Sequence, residues 1–301
     1  MLYSFLLSAA AIAPAPAQAT VIASNGIWDL LLRFIWLPFL TPLIIWGIKR
    51  FYNTHVSVKE VKKPTDPDIQ GFKTLYNSRI KEELRIDAEE ILKYIGRQEN
   101  NSVEHYLYLC KRNKRVVGFV KFMVSLQDKY LFLAYIAVDE HDEFAKKCGV
   151  EKMCKKMIRK YFKPLRATHF ITEIEQGNGG KYYTSFAKLI NRYAKSFKHE
   201  AYYIDVPYIQ PYMPGENLSS TPEDFLSLIY IPYYNLENTV LSKEEFLKIV
   251  NFIYFNIYGP SCNSLKCDCT SYNCYLYELV ENYRNDYSDY INLISLGGKS
   301  V

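Results

Sequence analysis

Three consecutive β-rich runs limit this chain more than any other feature of its sequence. "HYLYLCKR" (His105 to Arg112) turns at Asn113-Lys114. "RVVGFVKFMVSL" (Arg115 to Leu126) turns at Gln127-Asp128-Lys129, and "YLFLAYIAVDE" (Tyr130 to Glu140) follows. Period-two runs joined by tight polar turns make an antiparallel meander. The next stretch, "VDEHDEFAKKCGVEKMCKKMIRKYF", runs from Val138 to Phe162. It opens with acids, passes one glycine at Gly149 and becomes a basic helix that ends before Pro164. "THFITEIE" (Thr168 to Glu175) reads as a further strand, Lys181 to Phe197 as a helix, and "AYYIDVPYI" and "DFLSLIYIPYY" as two more β-like runs. After Leu241, Ser242 with Glu245 three residues later is a capping box that opens another helix. Ahead of the meander, Phe72 to Ile95 places Leu75, Leu84, Ile91, Leu92 and Ile95 at the spacing of one or two amphipathic helices.

A chain of 301 residues suffices for one large domain or two small ones. The net charge of +5 is mild. It fits a membrane surface or an anionic small molecule, whereas a nucleic-acid binder would concentrate more basic residues, so no nucleic-acid partner is expected. The 27 tyrosines suit half-buried surfaces and interfaces and do not discriminate between functions. Seven cysteines, an odd number, include three scattered through the expected core. A secreted disulfide scaffold would be smaller and more regular, so a reducing compartment is expected for the main domain.

Ile27 to Ile48, "IWDLLLRFIWLPFLTPLIIWGI", is long enough to cross a bilayer, about 33 Å as a helix. Asp29 and Arg33 lie four apart near its start, Trp28 and Trp46 mark its two ends, and Pro38 and Pro42 are tolerated in a membrane segment. Lys49, Arg50, Lys59, Lys62 and Lys63 follow, while residues 1–26 contain no Lys or Arg. The positive-inside bias then gives a single-pass protein with its C-terminal bulk in the cytoplasm. A buried or surface-lying apolar helix is the other reading of this segment. Residues 1–19 have a short apolar core and an Ala17-Gln18-Ala19 end like a signal-peptidase site, without a basic start; a re-entrant segment is the alternative. The division expected is thus a non-cytoplasmic or signal-like segment at 1–26, a transmembrane helix at 27–48, a linker at 49–71, a main domain at 72–212, and a C-terminal strand and helical extension at 213–301.

Helices, a three-strand meander, then strand, helix, strand, helix and strand is an order that resembles the GNAT acetyltransferase superfamily over roughly residues 72–212. "RVVGFVKFMVS" and "YLFLAYIAVDE" look like that family's second to fourth strands, "THFITEIE" like its fifth, and "DVPYIQPYM" like a late strand of some members. The resemblance implies an α/β fold, a mixed central sheet flanked by helices. It also implies that the fourth strand splays from the fifth and admits the pantetheine arm of acetyl-CoA, here along the backbone of Tyr135, Ile136, Ala137 and Val138. The turn that follows would present amides to a diphosphate from a helix N-terminus. Its Q/R-x-x-G-x-G/A pattern falls on Lys146, Gly149 and Glu151, with Val150 between the last two. Lys146 stands for the basic residue and Gly149 for the first glycine. Glu151 departs from the pattern and sets a carboxylate where a phosphate should approach. Asp139, Glu140, Asp142 and Glu143 add negative charge, and Lys146, Lys147, Lys152, Lys155 and Lys156 offset part of it.

Acyl transfer from a thioester needs an amine made neutral and a donor for the leaving thiolate. By the resemblance, Glu173 and Glu175 are the candidate bases; their spacing of two puts them on one strand face. Tyr193 is the candidate acid, although the family's glycine before the phenylalanine is missing. Each has a plainer reading: a solvated strand face for the glutamates, packing for Tyr193. Cys148 and Cys154 read as small core residues, and the five histidines give no metal spacing. "CNSLKCDCTSYNC" brings Cys262, Cys267, Cys269 and Cys274 close enough to wrap a zinc ion, or forms an ordinary loop. Two functions follow. One is a membrane-anchored N-acyltransferase that moves an acetyl group from acetyl-CoA to a small-molecule or protein amine. The other is an inactive GNAT-like module that senses, interacts or acts at a membrane. Self-association is left open.

Overall fold

The structure, a computed structural model, describes residues 41–47, 56–80, 86–96, 103–143, 145–162, 164–175, 185–212, 225–234, 236, 238–259 and 269–297. It divides into two units, Met1–Thr54 and His55–Val301. Of the first, residues 41–47 are helical and exposed. Among the described residues no helix is long and apolar enough to cross a membrane. Most of the segment expected to span, 27–48, lies outside them, as do the signal-like residues 1–19.

The second unit is a mixed sheet flanked by helices, the α/β class expected. Its strands are β1 (Val56–Val61), β2 (Val103–Arg112), β3 (Arg115–Ser125), β4 (Tyr130–Val138), β5 (His169–Glu175), β6 (Tyr202–Ile204), β7 (Tyr208–Ile209), β8 (Phe225–Pro232), β9 (Val240–Ser242) and β10 (Tyr290–Ser295). They lie in the order β1-β2-β3-β4-β5-β8-β6-β10-β9, with β7 paired to β8. The meander β2–β3–β4 is antiparallel as its alternation requires. Its first turn takes positive φ at both Asn113 and Lys114, 49° and 67°, as a two-residue hairpin demands. Only β4 and β5 pair in parallel among the described strands. A parallel pair needs a crossover, and the basic segment supplies it.

That crossover, α3, is π-helical at Ala145–Gly149, α-helical at Val150–Met157 and π-helical again at Ile158–Phe162. Met153, Met157, Tyr161 and Phe162 face one side of the sheet with Val120, Phe122, Leu131 and Phe170. Helices α1 (Ile69–Arg79) and α2 (Ala88–Lys93) cover part of the opposite face through Phe72, Tyr76, Ile91 and Leu92 against Leu107 and Phe119. Helix α4 (Ser185–Ser196) joins the α3 side through Ala187, Ile190 and Ala194.

Two expected boundaries are corrected. The stretch read as a linker at 49–71 contains β1, which pairs with β2 along its whole length. Its alternation, "VSVKEV", sits beside Pro64 and Pro67, and those prolines dominate the window. The segment from 213, expected as a strand and helical extension, builds its strands and helices into the same sheet and core. Strand β10 pairs with β6 at Leu293–Ile204, and β8 inserts between β5 and β6. The C-terminal helices are α5, α-helical at Lys243–Ile253 and π-helical at Tyr254–Tyr258, and α6 (Cys269–Asp286). Their Phe246, Ile249, Ile253, Leu276 and Val280 fill the core over Phe132 and Ile171. Ser242 caps α5 as expected, its Oγ accepting from the Glu245 amide at 3.1 Å.

Tyrosine hydroxyls explain much of that residue's abundance. The segment around β7 has little strand pairing and is pinned by them instead. Tyr254 donates to the Ile209 carbonyl at 2.6 Å, Tyr272 to that of Tyr212 at 2.6 Å, and Tyr283 to that of Pro207 at 3.2 Å while accepting from the Ile209 amide. A tyrosine buries its ring and still satisfies a backbone group that would otherwise be stranded.

Candidate active site

Strands β4 and β5 pair from Tyr130–His169 to Leu133–Thr172 and no further. On its other side β4 continues against β3, Tyr135 to Val138 facing Lys121 to Gly118. Ala134 is the extra residue of a bulge there, because Leu133 pairs with Phe122 and Tyr135 with Lys121. A bulge adds twist and turns a strand from its neighbour. From Ala134 to Val138, β4 is therefore a half-exposed edge inside the molecule. Strand β5 instead follows β8, Glu173 opposite Leu228 and Glu175 opposite Leu226.

The fork opens into a cleft of about 330 Å³, lined among others by Leu133, Tyr135, Ile136, Glu173, Ile257 and Tyr258. Glu173 is its acid. Tyr258 donates to both carboxylate oxygens, at 3.0 and 3.2 Å, and Tyr208 to one of them at 2.5 Å. Burial pushes the Glu173 carboxyl up to about 7, against the two hydroxyls, which favour the ionised form. A carboxylate poised near neutrality, in a cleft beside a free strand edge, suits proton abstraction. Burial likewise pushes Tyr135 up to about 12. On the same side of the sheet Lys121 is buried with its Nζ 3.0 Å from His105 Nδ1, and desolvation pushes its ammonium down to about 7.

Of the expected site residues, the structure brings Glu173 together with Tyr135 and Ile136, while Ala137 and Val138 continue along β4 beyond the cleft. Glu175 ends β5 two residues on, opposite Leu226 of β8. Tyr193 is elsewhere: it packs at an apolar pocket with Cys154, Met157, Phe162, Phe170 and Ile190. The tyrosines at the carboxylate are Tyr258 and Tyr208. Tyr254 and Tyr258 sit four apart at the end of α5, a spacing that shares a helix face, and this is the local sign of them that the sequence carries.

The turn after β4 differs from the expected phosphate cradle. The helix begins at Asp142, whose backbone carbonyl accepts from Lys146 and whose carboxylate accepts from the Ala145 amide at 3.0 Å. Asp142 in turn accepts from Arg112 at 2.9 Å. An N-terminal amide that would meet a phosphate is thus taken by the chain's own acid. Gly149 lies a full turn inside the helix with ordinary helical φ and ψ. Its missing side chain makes room for Cys110, whose Sγ would lie 3.0 Å from an added Cβ. The lysines are engaged too. Lys152 and Lys156 donate to the carbonyls of Val56 and Val58 on the free edge of β1, at 2.7 and 2.9 Å. Lys155 pairs with Glu151 and Lys146 with Glu143. Val150 is half-buried in the same run. If Gly149 serves packing, Gly149→Ala should be more favourable in a Cys110→Ala background than in the native chain. A coupling of about 1 kcal/mol or more is expected from a double-mutant cycle of urea denaturation.

Cys154 is buried, and desolvation pushes its thiol up to about 12, which makes it inert. Cys269 and Cys274 lie on α6, half-buried and exposed, while Cys262 and Cys267 lie outside the described residues. Among the described residues no three His, Cys, Asp or Glu side chains are grouped to hold a metal.

No family model matches the chain, and no curated protein matches it. Among solved structures it is similar to a protein assigned to the GNAT acetyltransferase family from Bacteroides thetaiotaomicron, 13% identical, with a TM-score of 0.45 over 67% of this chain and 98% of that one. A spermidine N-acetyltransferase from Vibrio cholerae, solved as a dodecamer, is 11% identical with a TM-score of 0.38 over 60% and 95%. A GNAT-family acetyltransferase from Staphylococcus aureus is 13% identical with a TM-score of 0.37 over 60% and 99%.

Proposed function

We propose that this protein is a GNAT-like N-acyltransferase that moves an acetyl group from acetyl-CoA to an amine. The observation that carries the reading is the parting of β4 from β5 beyond Leu133–Thr172, with Glu173 at the fork. From Ala134 to Val138 no described strand pairs with β4 on its β5 side, and the backbone there offers amides and carbonyls to an extended, amide-bearing arm, as a strand edge does. The fork therefore fits the pantetheine portion of the donor. The helix N-terminus, capped by Asp142, does not fit its diphosphate.

Within this reading the acceptor amine approaches from the side of Glu173, which takes its proton as nitrogen attacks the thioester carbonyl. Tyr258, which lines the cleft, would donate its hydroxyl proton to the departing sulfur and recover one from the protonated Glu173 it touches, in the role first given to Tyr193. Both tyrosines hold the carboxylate in place, and the apolar walls of Ile136 and Ile257 exclude water from the reacting carbon. Residues 27–48 would tether the domain to a membrane, with the basic run from Lys49 on the cytoplasmic side.

Calorimetric titration of the full chain tests the donor. S-acetylpantetheine and acetyl-CoA are both expected to bind; no binding of either at millimolar concentration sinks the proposal. The second reading is a GNAT-like sensing or interaction module without turnover. The self-capped helix and the engaged lysines favour it, and it predicts that neither thioester binds.

A further inference from the structure

Beyond the end of the free β4 edge lies a second groove of about 340 Å³, on the side of the sheet covered by α1. Helix α1 borders both spaces, Ile80 just after it lining the fork and Ser78 and Arg79 lining the groove. Arg115, Asp139 and His141 complete its polar wall. Two guanidinium groups meet there on one carboxylate: Arg115 is 2.5 Å and Arg79 3.6 Å from Asp139, which is itself buried. Arg79 also pairs with Glu140, an exposed side chain. The Nε of Arg79 is buried and has no hydrogen-bond partner among the described residues. That Nε is out of contact with solvent, so an anion in the groove would meet this guanidinium through its terminal nitrogens, which now pair with Asp139 and Glu140.

We infer that this groove is an anion site for a phosphate-type group, and, resting on the reading above, that it holds the phosphates of the acyl donor in place of the self-capped helix N-terminus. An arm laid along β4 from the fork at Ala134 towards Val138 runs in the direction of Asp139. Its charged end then reaches the arginines. Asp139 accepts from Arg115 and from the His141 amide at 3.0 Å, and attracts Arg79 as an ion pair. Glu140, on the solvent side, occupies Arg79 when no phosphate does and gives way to one. Arginine is suited to this exchange because its planar fork engages carboxylate and phosphate alike.

Four proteins and three ligands test it: the full-length native chain, Arg79→Gln, Arg115→Gln and Glu140→Gln, each titrated with acetyl-CoA, S-acetylpantetheine and inorganic pyrophosphate. Arg79→Gln is expected to weaken acetyl-CoA about tenfold or more and to leave S-acetylpantetheine unchanged. Arg115→Gln acts in the same direction. Glu140→Gln is expected to tighten acetyl-CoA and pyrophosphate several-fold, an effect that a merely structural ion pair would not produce. Equal loss of both thioesters on Arg79→Gln would show a structural arginine and overturn the inference. So would acetyl-CoA binding no tighter than S-acetylpantetheine, which leaves the fork reading intact. Pyrophosphate binding that depends on Arg79, with neither thioester bound, supports the anion site and sinks the acyltransferase reading instead.

Discussion

Glu173→Gln is expected to lower turnover by about 10²–10⁴-fold while leaving thioester binding intact, because it removes the base and keeps the shape. Its rate in the native protein should rise with pH through about 7, the value to which burial moves the carboxyl. Stability should move the other way. The folded chain holds this proton more tightly than the unfolded one, whose glutamate titrates near 4.5. The native state is then progressively penalised as pH climbs from about 4.5 to 7, and the penalty is constant above that range. The glutamine variant escapes it and should be more stable than the native chain at pH 8 by up to about 3 kcal/mol, with no advantage near pH 4. Denaturation at the two pH values and steady-state kinetics read both effects from one substitution. A variant equally active, or less stable at pH 8 than at pH 4 relative to the native chain, contradicts the assignment.

Ending the chain after Asn238 should abolish folding. Phe246, Ile249, Val250, Ile253, Tyr254 and Leu276 are all 0% exposed and all lost. At about 1.5–3 kcal/mol for each buried side chain, the six amount to about 9–18 kcal/mol, as much as the roughly 5–15 kcal/mol by which a whole domain is stable. The cut also strips β10 from β6 and leaves Phe132 and Ile171 without cover. The expected result is no cooperative thermal transition and rapid proteolysis throughout. The milder Phe246→Ala should fold and cost about 3–5 kcal/mol. A truncated chain that melts cooperatively would show that residues 239–301 are dispensable for the core and contradict this prediction.

The contrast between these two regions shows what the sequence conveys. The meander, the crossover helix and the Ser242 cap rest on local rules, alternation and capping, which a short window displays. The pairing of Leu293 with Ile204 joins distant segments and leaves no trace in either one. Glu173 was visible through its place on "THFITEIE"; Tyr258 was one tyrosine among 27. Gly149 shows the opposite failure. A glycine beside lysines suggested a cradle for phosphate, yet its space is filled by Cys110, and two of those lysines close the edge of β1. A residue type signals its chemistry only when its neighbours are known, and Cys110 reaches the helical Gly149 from strand β2.

The hydroxyl clamp on Glu173 has a consequence for biosynthesis. Tyr208 and Tyr258 flank it from segments translated well after β5, and the second arrives with the closing helices. A ribosome-bound intermediate that has completed β5 and nothing after it carries the acid uncaged, free to ionise as an ordinary surface glutamate would. Its tuning is therefore acquired late, once Tyr208 and then Tyr258 have closed on the carboxylate.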